Sequence, residues 1–98
     1  MKEMKLRNVG MAAFTNKKLK GFKLNDLEYE LSRIGDEHKE AMQAYYSKDF
    51  EGLSQELADI VIFACSAAKV ANIDLNKSII NKLKINKERK YVDGIKLT

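Results

Sequence analysis

The residues best suited to chemistry in this sequence are two pairs of acidic side chains, Glu37 with Glu40 and Glu56 with Asp59. Carboxylates at positions i and i+3 lie on the same face of a helix, where like charges repel each other. Two such pairs facing each other would be unfavourable unless a cation lay between them. Mg²⁺, a hard ion bound by oxygen ligands, is the expected cation. The four carboxylates are therefore the candidate metal ligands and catalytic residues.

Fourteen acidic residues in 98 would give about two such pairs by chance, so the spacing alone is weak support for a metal site. The surrounding pattern adds weight, because each pair lies at the edge of an apolar stripe with helical periodicity. We therefore expect both pairs to border one buried interface between two helices. The stripes consist of Leu27, Leu31, Ile34, His38, Ala41 and Tyr45 in the first segment, and Leu53, Leu57, Ile60, Ala64, Ala67 and Ala71 in the second.

The absence of proline and the presence of only five glycines favour long helices. The sequence predicts an all-α fold, a bundle of three main helices preceded by a basic N-terminal arm at residues 1–24. The helical domain would cover residues 25–98. Its helices are predicted from an Asn25/Glu28 capping box to about Ser47, from Asp49 to about Ala71, and from Asp74 to about Tyr91.

The second helix is apolar on almost every side in its second half, where Val61, Ile62, Phe63, Cys65 and Val70 lie outside the stripe. A helix of this kind must be buried almost all round. A three-helix chain of 98 residues has little other mass to cover it. We therefore expect a homo-oligomer whose centre is this helix. Cys65 is expected to be a small buried hydrophobe, and His38, on the first stripe, a packed residue.

The formal charge of +4 is unevenly distributed along the chain. Residues 1–25 carry seven basic side chains and one acidic one, whereas residues 26–98 carry 11 basic and 13 acidic ones. A basic arm can bind nucleic acid, but the arm has no known RNA-binding or zinc-finger pattern. We expect it to be solvated or to fold over the acidic body. No segment has the length of apolar sequence that a membrane span or a signal peptide needs, so a cytoplasmic protein is expected.

The third predicted helix changes character along one face. The face begins with Leu75 and Ile79 and continues, at helical spacing, with Lys82, Asn86 and Arg89. Lysine acts on a phosphate as a point charge and arginine as a planar fork of donors. We interpret this face as a candidate phosphate-binding surface.

These motifs together resemble the MazG-type all-α nucleoside triphosphate pyrophosphohydrolases. The resemblance covers about residues 25–91: the acidic run ending in Glu37-x-x-Glu40, a 15-residue spacer, Glu56-x-x-Asp59, and the helix carrying Lys82, Asn86 and Arg89. It implies an Mg²⁺-dependent homodimer or homotetramer that cleaves nucleoside triphosphates to monophosphate and pyrophosphate. Glu37, Glu40, Glu56 and Asp59 would bind the metal, and the Lys/Asn/Arg face would contact phosphates, including those held by a neighbouring subunit. Many such proteins have tandem Glu where this chain has Asp36-Glu37; Asp36 is given no role.

Other classes of protein are excluded by specific residues. A di-iron bundle requires Glu-x-x-His pairs, but Gly35 stands three positions before His38. A P-loop nucleotidase requires a Gly-x-x-x-x-Gly-Lys-Ser/Thr loop, which the sequence lacks. The remaining alternative is a non-catalytic helical homodimer that binds nucleotides or regulates a partner.

Overall fold

The computed structural model describes residues 4–22 and 26–97. The described chain is all-α apart from one short β-hairpin near its end, which confirms the predicted fold class. It contains four helices where the sequence predicted three. The elements are α1 (Leu6–Leu19), α2 (Leu27–Tyr46), α3 (Phe50–Val70), α4 (Leu75–Glu88), β1 (Tyr91–Val92) and β2 (Ile95–Lys96).

Aspartate side chains cap the starts of three helices. The carboxylates of Asp49 and Asp74 accept hydrogen bonds from the backbone N–H groups of Gly52 and Lys77, as the sequence predicted for α3 and α4. Helix α2 is capped by Asp26, which accepts from the N–H of Tyr29 at 3.0 Å. The sequence had placed this cap at Asn25, which lies outside the described residues, as does the predicted domain boundary between residues 24 and 25.

Helices α2 and α3 form a hairpin that contains most of the long-range packing in the chain. Residues 47–49 connect them, and Lys48 takes a left-handed backbone conformation with a φ of 58°. The buried apolar residues of the described chain are small, namely Ala41 on α2 and Cys65, Ala67 and Ala68 on α3. The hairpin therefore holds the faces of α2 and α3 that carry the acidic pairs in a fixed relation.

The basic N-terminal segment is folded rather than extended. Helix α1 packs against α3, and Gly10 lies so close to α3 that an added Cβ would be 2.9 Å from the carbonyl oxygen of Cys65. The sequence predicted no helix here, although it allowed the segment to fold over the rest of the chain. Glycine permits this contact because it has no side chain to separate the two backbones.

The C-terminal segment differs from the prediction. Helix α4 ends at Glu88, three residues before the predicted end, and the backbone of Arg89 is extended. The reason lies in Asp93 and Gly94, whose positive φ angles of 51° and 79° form the tight turn of a hairpin in which Tyr91 pairs with Lys96 and Val92 with Ile95. An Asp-Gly turn between β-forming residues therefore overrides the helical pattern.

None of the described helices combines the length and the hydropathy needed to cross a membrane.

Candidate metal site

The hairpin brings three of the four predicted carboxylates together. Glu37 reaches across from α2 to Glu56 and Asp59, which lie one turn apart on α3, and one oxygen atom of each residue lies within 4.8 Å of the others. We call these three residues the acidic cluster. Glu37 has only 3% of its surface exposed, and Glu56 and Asp59 are partly buried. The cluster thus lies in the interface between the helices, as the two stripes predicted for these three residues, whereas the same prediction is wrong for Glu40.

Two oxygens of the acidic cluster have unsatisfied hydrogen-bonding capacity. When both carboxyl groups are ionised, the buried atoms Glu37 Oε2 and Glu56 Oε2 accept no hydrogen bond from any described residue. Buried polar atoms normally have a partner, and leaving one without costs about 1–3 kcal/mol. A divalent cation bound by oxygen would satisfy both atoms and neutralise the repulsion between the carboxylates. The donor set fits Mg²⁺.

The electrostatics of Glu37 support the same interpretation. The pKa of Glu37 is raised from 4.5 to about 8, first by the adjacent carboxyl of Glu56, then by burial and by the nearby carboxyl of Glu40. Two carboxyl groups this close are favourable neighbours only when a proton or a metal ion lies between them. At neutral pH the metal-free cluster therefore retains a proton, which a bound cation would displace.

Glu40 occupies a different position from the other three acids. It lies one turn after Glu37 on α2, close enough to affect the pKa of Glu37, but it is exposed and outside the acidic cluster. Its carboxylate therefore lies at the rim of the site.

Arg33 is the basic residue in direct contact with the acidic cluster. Its Nη2 donates a hydrogen bond of 2.8 Å to Glu37 Oε1, and its Nη1 lies 3.3 Å from Asp36 Oδ2. The guanidinium is 5.3 Å from the centre of the Phe63 ring, a cation–π contact. Arg33 was not among the predicted site residues. Its spacing was a usable signal, since arginine at i−4 from a glutamate is a standard ion-pair position on a helix.

A second buried charge cluster connects α1 to the hairpin. The ammonium group of Lys17 forms an ion pair with Glu30 on α2 and donates a 2.7 Å hydrogen bond to Ser66 Oγ on α3. It also lies over the rings of Tyr29 and Phe63. Burial lowers the pKa of Lys17. We call Lys17 and Glu30 the anchor pair. No sequence signal linked them, because they belong to different helices.

The candidate phosphate-binding residues are not assembled on the acidic cluster within one chain. Helix α4 packs against α1 and has at most a marginal contact with any other element among the described residues. Lys82 and Asn86 are exposed on this helix, whereas Arg89 has left it and is partly buried. The prediction that all three share one helical face is wrong for Arg89, because the helix ends before it.

The single histidine and the single cysteine have different surroundings. His38 is exposed, so the prediction that it is a packed residue is wrong. Cys65 is a free, buried thiol, and burial raises its pKa. A thiol in this state is a poor nucleophile. Cys65 therefore belongs to the packing between helices, as the sequence predicted.

Comparison of the chain with models of protein families, with curated proteins and with solved structures finds no significant match.

Proposed function

We propose that this chain is an Mg²⁺-dependent nucleoside triphosphate pyrophosphohydrolase that converts (d)NTP to (d)NMP and pyrophosphate. One observation carries the proposal. Glu37 is buried at the interface between two helices, one of its oxygens has no hydrogen-bond partner, and its carboxylate lies beside those of Glu56 and Asp59. The sequence resemblance to MazG-type enzymes names the reaction for which this arrangement is suited.

The chemistry requires few protein groups. Water attacks the α-phosphorus, a new P–O bond forms, the bond from that phosphorus to the bridging oxygen breaks, and pyrophosphate leaves. Such reactions depend on positioning and on neutralising phosphate charge. Mg²⁺, when bound, would polarise phosphate oxygens and make a bound water more acidic. The ion would be held by Glu37, Glu56 and Asp59. The proton of the attacking water would be accepted by Glu37 or by Glu40, and Glu40 is the one that lies at the solvent-facing rim of the site.

We further propose that the active species is a homodimer or homotetramer. Monomeric proteins of this length have roughly 5,700 Å² of accessible surface by size scaling, whereas this chain exposes 8004 Å². The excess is larger than the roughly 800 Å² that each partner buries in a standard interface. Much of the surface is apolar and lies on the two helices of the hairpin. It includes Leu31, Tyr45, Tyr46, Phe50, Leu57, Val61 and Ile62.

A second copy also supplies what the site lacks within one chain. Three carboxylates can hold a metal ion, but a triphosphate brings further negative charge that needs cationic partners. Lys82 and Asn86 are exposed on α4, away from the hairpin of their own chain. We propose that α4 of a partner subunit places Lys82, Asn86 and Arg89 against the phosphates held at the acidic cluster.

The direct test is pyrophosphate release from a panel of NTPs and dNTPs, with Mg²⁺ or with EDTA. We expect turnover of at least one nucleotide that depends on Mg²⁺. Glu56→Gln and Asp59→Asn should each lower the rate by at least about a hundredfold while the protein stays folded. Glu51→Gln is the matched control, because Glu51 is an exposed acid in the first turn of the same helix.

The same protein samples separate the two candidate functions. If no nucleotide is cleaved but nucleotide and Mg²⁺ together raise the melting temperature, the chain is the non-catalytic nucleotide-binding module. If neither turnover nor a thermal shift is seen, the proposed function is wrong. Light scattering of the same samples measures the oligomeric state, and a monomer at micromolar concentration would contradict the proposed assembly.

A further inference from the structure

Arg33 has a contact that the proposed reaction does not use. It lies one turn before Glu37 on α2, and its Nη2 donates to Glu37 Oε1 at 2.8 Å. The other oxygen of the same carboxylate, Oε2, is the buried atom without a hydrogen-bond partner. One carboxylate is thus divided between two partners: one oxygen contacts a permanent cation, and the other is available to the acidic cluster.

The charges at this site are unbalanced without that arginine. Three carboxyl groups lie with oxygens within 4.8 Å of one another, and among the described residues Arg33 alone forms an ion pair with any of them. Arginine stays protonated at every physiological pH. The Phe63 ring, 5.3 Å away, gives the guanidinium a second contact that fixes its position. Its charge is therefore present whether or not a metal ion is bound.

We propose that Arg33 is the built-in counter-ion of the acidic cluster, which keeps the metal-free site folded and weakens its affinity for a divalent cation. This inference rests on the metal site of the proposed function. Arg33 repels an incoming cation while it stabilises the metal-free cluster, and the negative charge of phosphate groups that arrive with the ion offsets this repulsion. The preferred ligand would be a metal–triphosphate complex rather than the free ion.

Loss of the Arg33 charge should lower the stability of the metal-free protein and raise its affinity for a divalent cation. Replacing Arg33 by an uncharged residue removes a stabilising charge from the metal-free protein but has a smaller effect once a divalent cation is present. By thermodynamic linkage, a variant destabilised more in its metal-free than in its metal-bound form must bind the metal more tightly. A unit charge acting on a divalent ion at a separation of several ångströms corresponds to roughly a tenfold change in affinity in a water-like dielectric.

The experiment measures Mn²⁺ binding to the full chain by electron paramagnetic resonance of the free ion, together with thermal unfolding in EDTA and in saturating Mn²⁺. The variants are Arg33→Met, Arg33→Gln and Arg33→Lys. Lys18→Met is the control for net charge, because Lys18 is exposed on α1. Arg33→Gln keeps a hydrogen-bond donor near Glu37, so it carries the test if Arg33→Met does not fold in EDTA.

We expect Arg33→Met and Arg33→Gln to melt at a lower temperature in EDTA, to gain more from Mn²⁺ than the native protein, and to bind Mn²⁺ about tenfold more tightly. Arg33→Lys and Lys18→Met should bind Mn²⁺ like the native protein. Unchanged affinity in the uncharged variants would mean that Arg33 only packs, and weaker affinity that it orients Glu37 for the metal; either result overturns the proposal. Absence of Mn²⁺ binding by the native protein would instead reject the metal site itself.

Discussion

Glu30 and Glu37 lie two turns apart on α2 and are equally buried, with 3% of the surface of each exposed. Each forms an ion pair with one basic residue, Lys17 for Glu30 and Arg33 for Glu37. Each also keeps one buried oxygen, Oε2, that accepts no hydrogen bond from a described residue. By residue type, burial and pairing, the two glutamates are alike.

Their neighbours differ in sign. Beside Glu30 lies the neutral hydroxyl of Ser66, which accepts a hydrogen bond from the same Lys17 ammonium group that forms the ion pair with Glu30. Around Glu37 the further neighbours are carboxylates, and they raise its pKa to about 8. Burial of an acid is therefore no guide to function on this helix. A buried glutamate that is neutralised by one basic residue can hold two helices together. A buried glutamate that is surrounded by other carboxylates can bind a cation.

The largest effect should come from breaking the anchor pair. Lys17→Met leaves the carboxylate of Glu30 buried without its counter-ion, and removal of one partner of a buried pair costs about 3–5 kcal/mol. We expect a loss of this size in the free energy of unfolding, measured by urea denaturation. Lys18→Met, one residue further along α1 and exposed, should change stability by less than about 0.5 kcal/mol.

The response to Mg²⁺ then tests the comparison directly. Lys17→Met should keep whatever thermal response to Mg²⁺ the native protein has, because the polar partners of Lys17 are Glu30 and Ser66 and the anchor pair meets Arg33 at the Phe63 ring rather than at a carboxylate of the acidic cluster. If instead this variant were as stable as Lys18→Met, the anchor pair would contribute no more than an exposed ion pair. Glu30 would then not stabilise the fold through its ion pair, and the proposed contrast with Glu37 would be wrong.

The sequence predicted the helical hairpin of α2 and α3 well because its signals are local. The apolar stripes and the capping side chains of Asp49 and Asp74 lie within the segments they organise, so α3 and the start of α4 appear where expected. The facing positions of Glu37, Glu56 and Asp59 follow from the two stripes. Burial of Glu37 itself required the packing of α3 against α2.

The first helix and the C-terminal β-hairpin were not predicted, and their causes differ. Helix α1 begins at Leu6 without a side-chain cap, and it is held by the Gly10 contact with α3 and by the anchor pair. Neither contact leaves a periodic signal in the sequence. The hairpin at Asp93-Gly94 did have a local signal, since Asp-Gly between β-forming residues is a strong hairpin pattern. The position predicted for Arg89 is wrong because this hairpin follows directly after α4 and the helical pattern ends at Glu88.

A smaller effect, with the opposite sign to the anchor pair, is expected when Glu37 is neutralised. The raised pKa means that between pH 4.5 and about 8 the folded, metal-free protein binds a proton that the unfolded chain has released. Stability from this group is therefore fully present below pH 4.5 and is lost as pH rises through about 8. Glu37→Gln, which resembles the protonated acid, should remove this loss and be at least as stable as the native protein in EDTA at pH 8.

The measurement is the free energy of unfolding in EDTA across pH 5–9 for the native protein, Glu37→Gln and Glu30→Gln. Glu30→Gln is the matched control, because it removes the same charge from the same helix at equal burial but deprives Lys17 of its counter-ion. It should lower stability at every pH. Equal losses in the two variants would show that the like-charged neighbours of Glu37 have no energetic effect, and the contrast between the glutamates would fail.

The smallest effect is expected at Asp36, which is adjacent to Glu37 in sequence but points away from the interface. Its side chain is 53% exposed, and its contact with Arg33 is an i,i+3 pair at 3.3 Å. Exposed pairs of this kind contribute about 0–1 kcal/mol. Asp36→Asn should therefore change stability by less than about 1 kcal/mol and leave both Mg²⁺ binding and pyrophosphate release unchanged, whereas Asp59→Asn loses both. If Asp36→Asn lost the Mg²⁺ response as completely as Asp59→Asn, α2 would have to be rotated by about 100°, one residue step. The tandem acids Asp36 and Glu37 would then have exchanged roles.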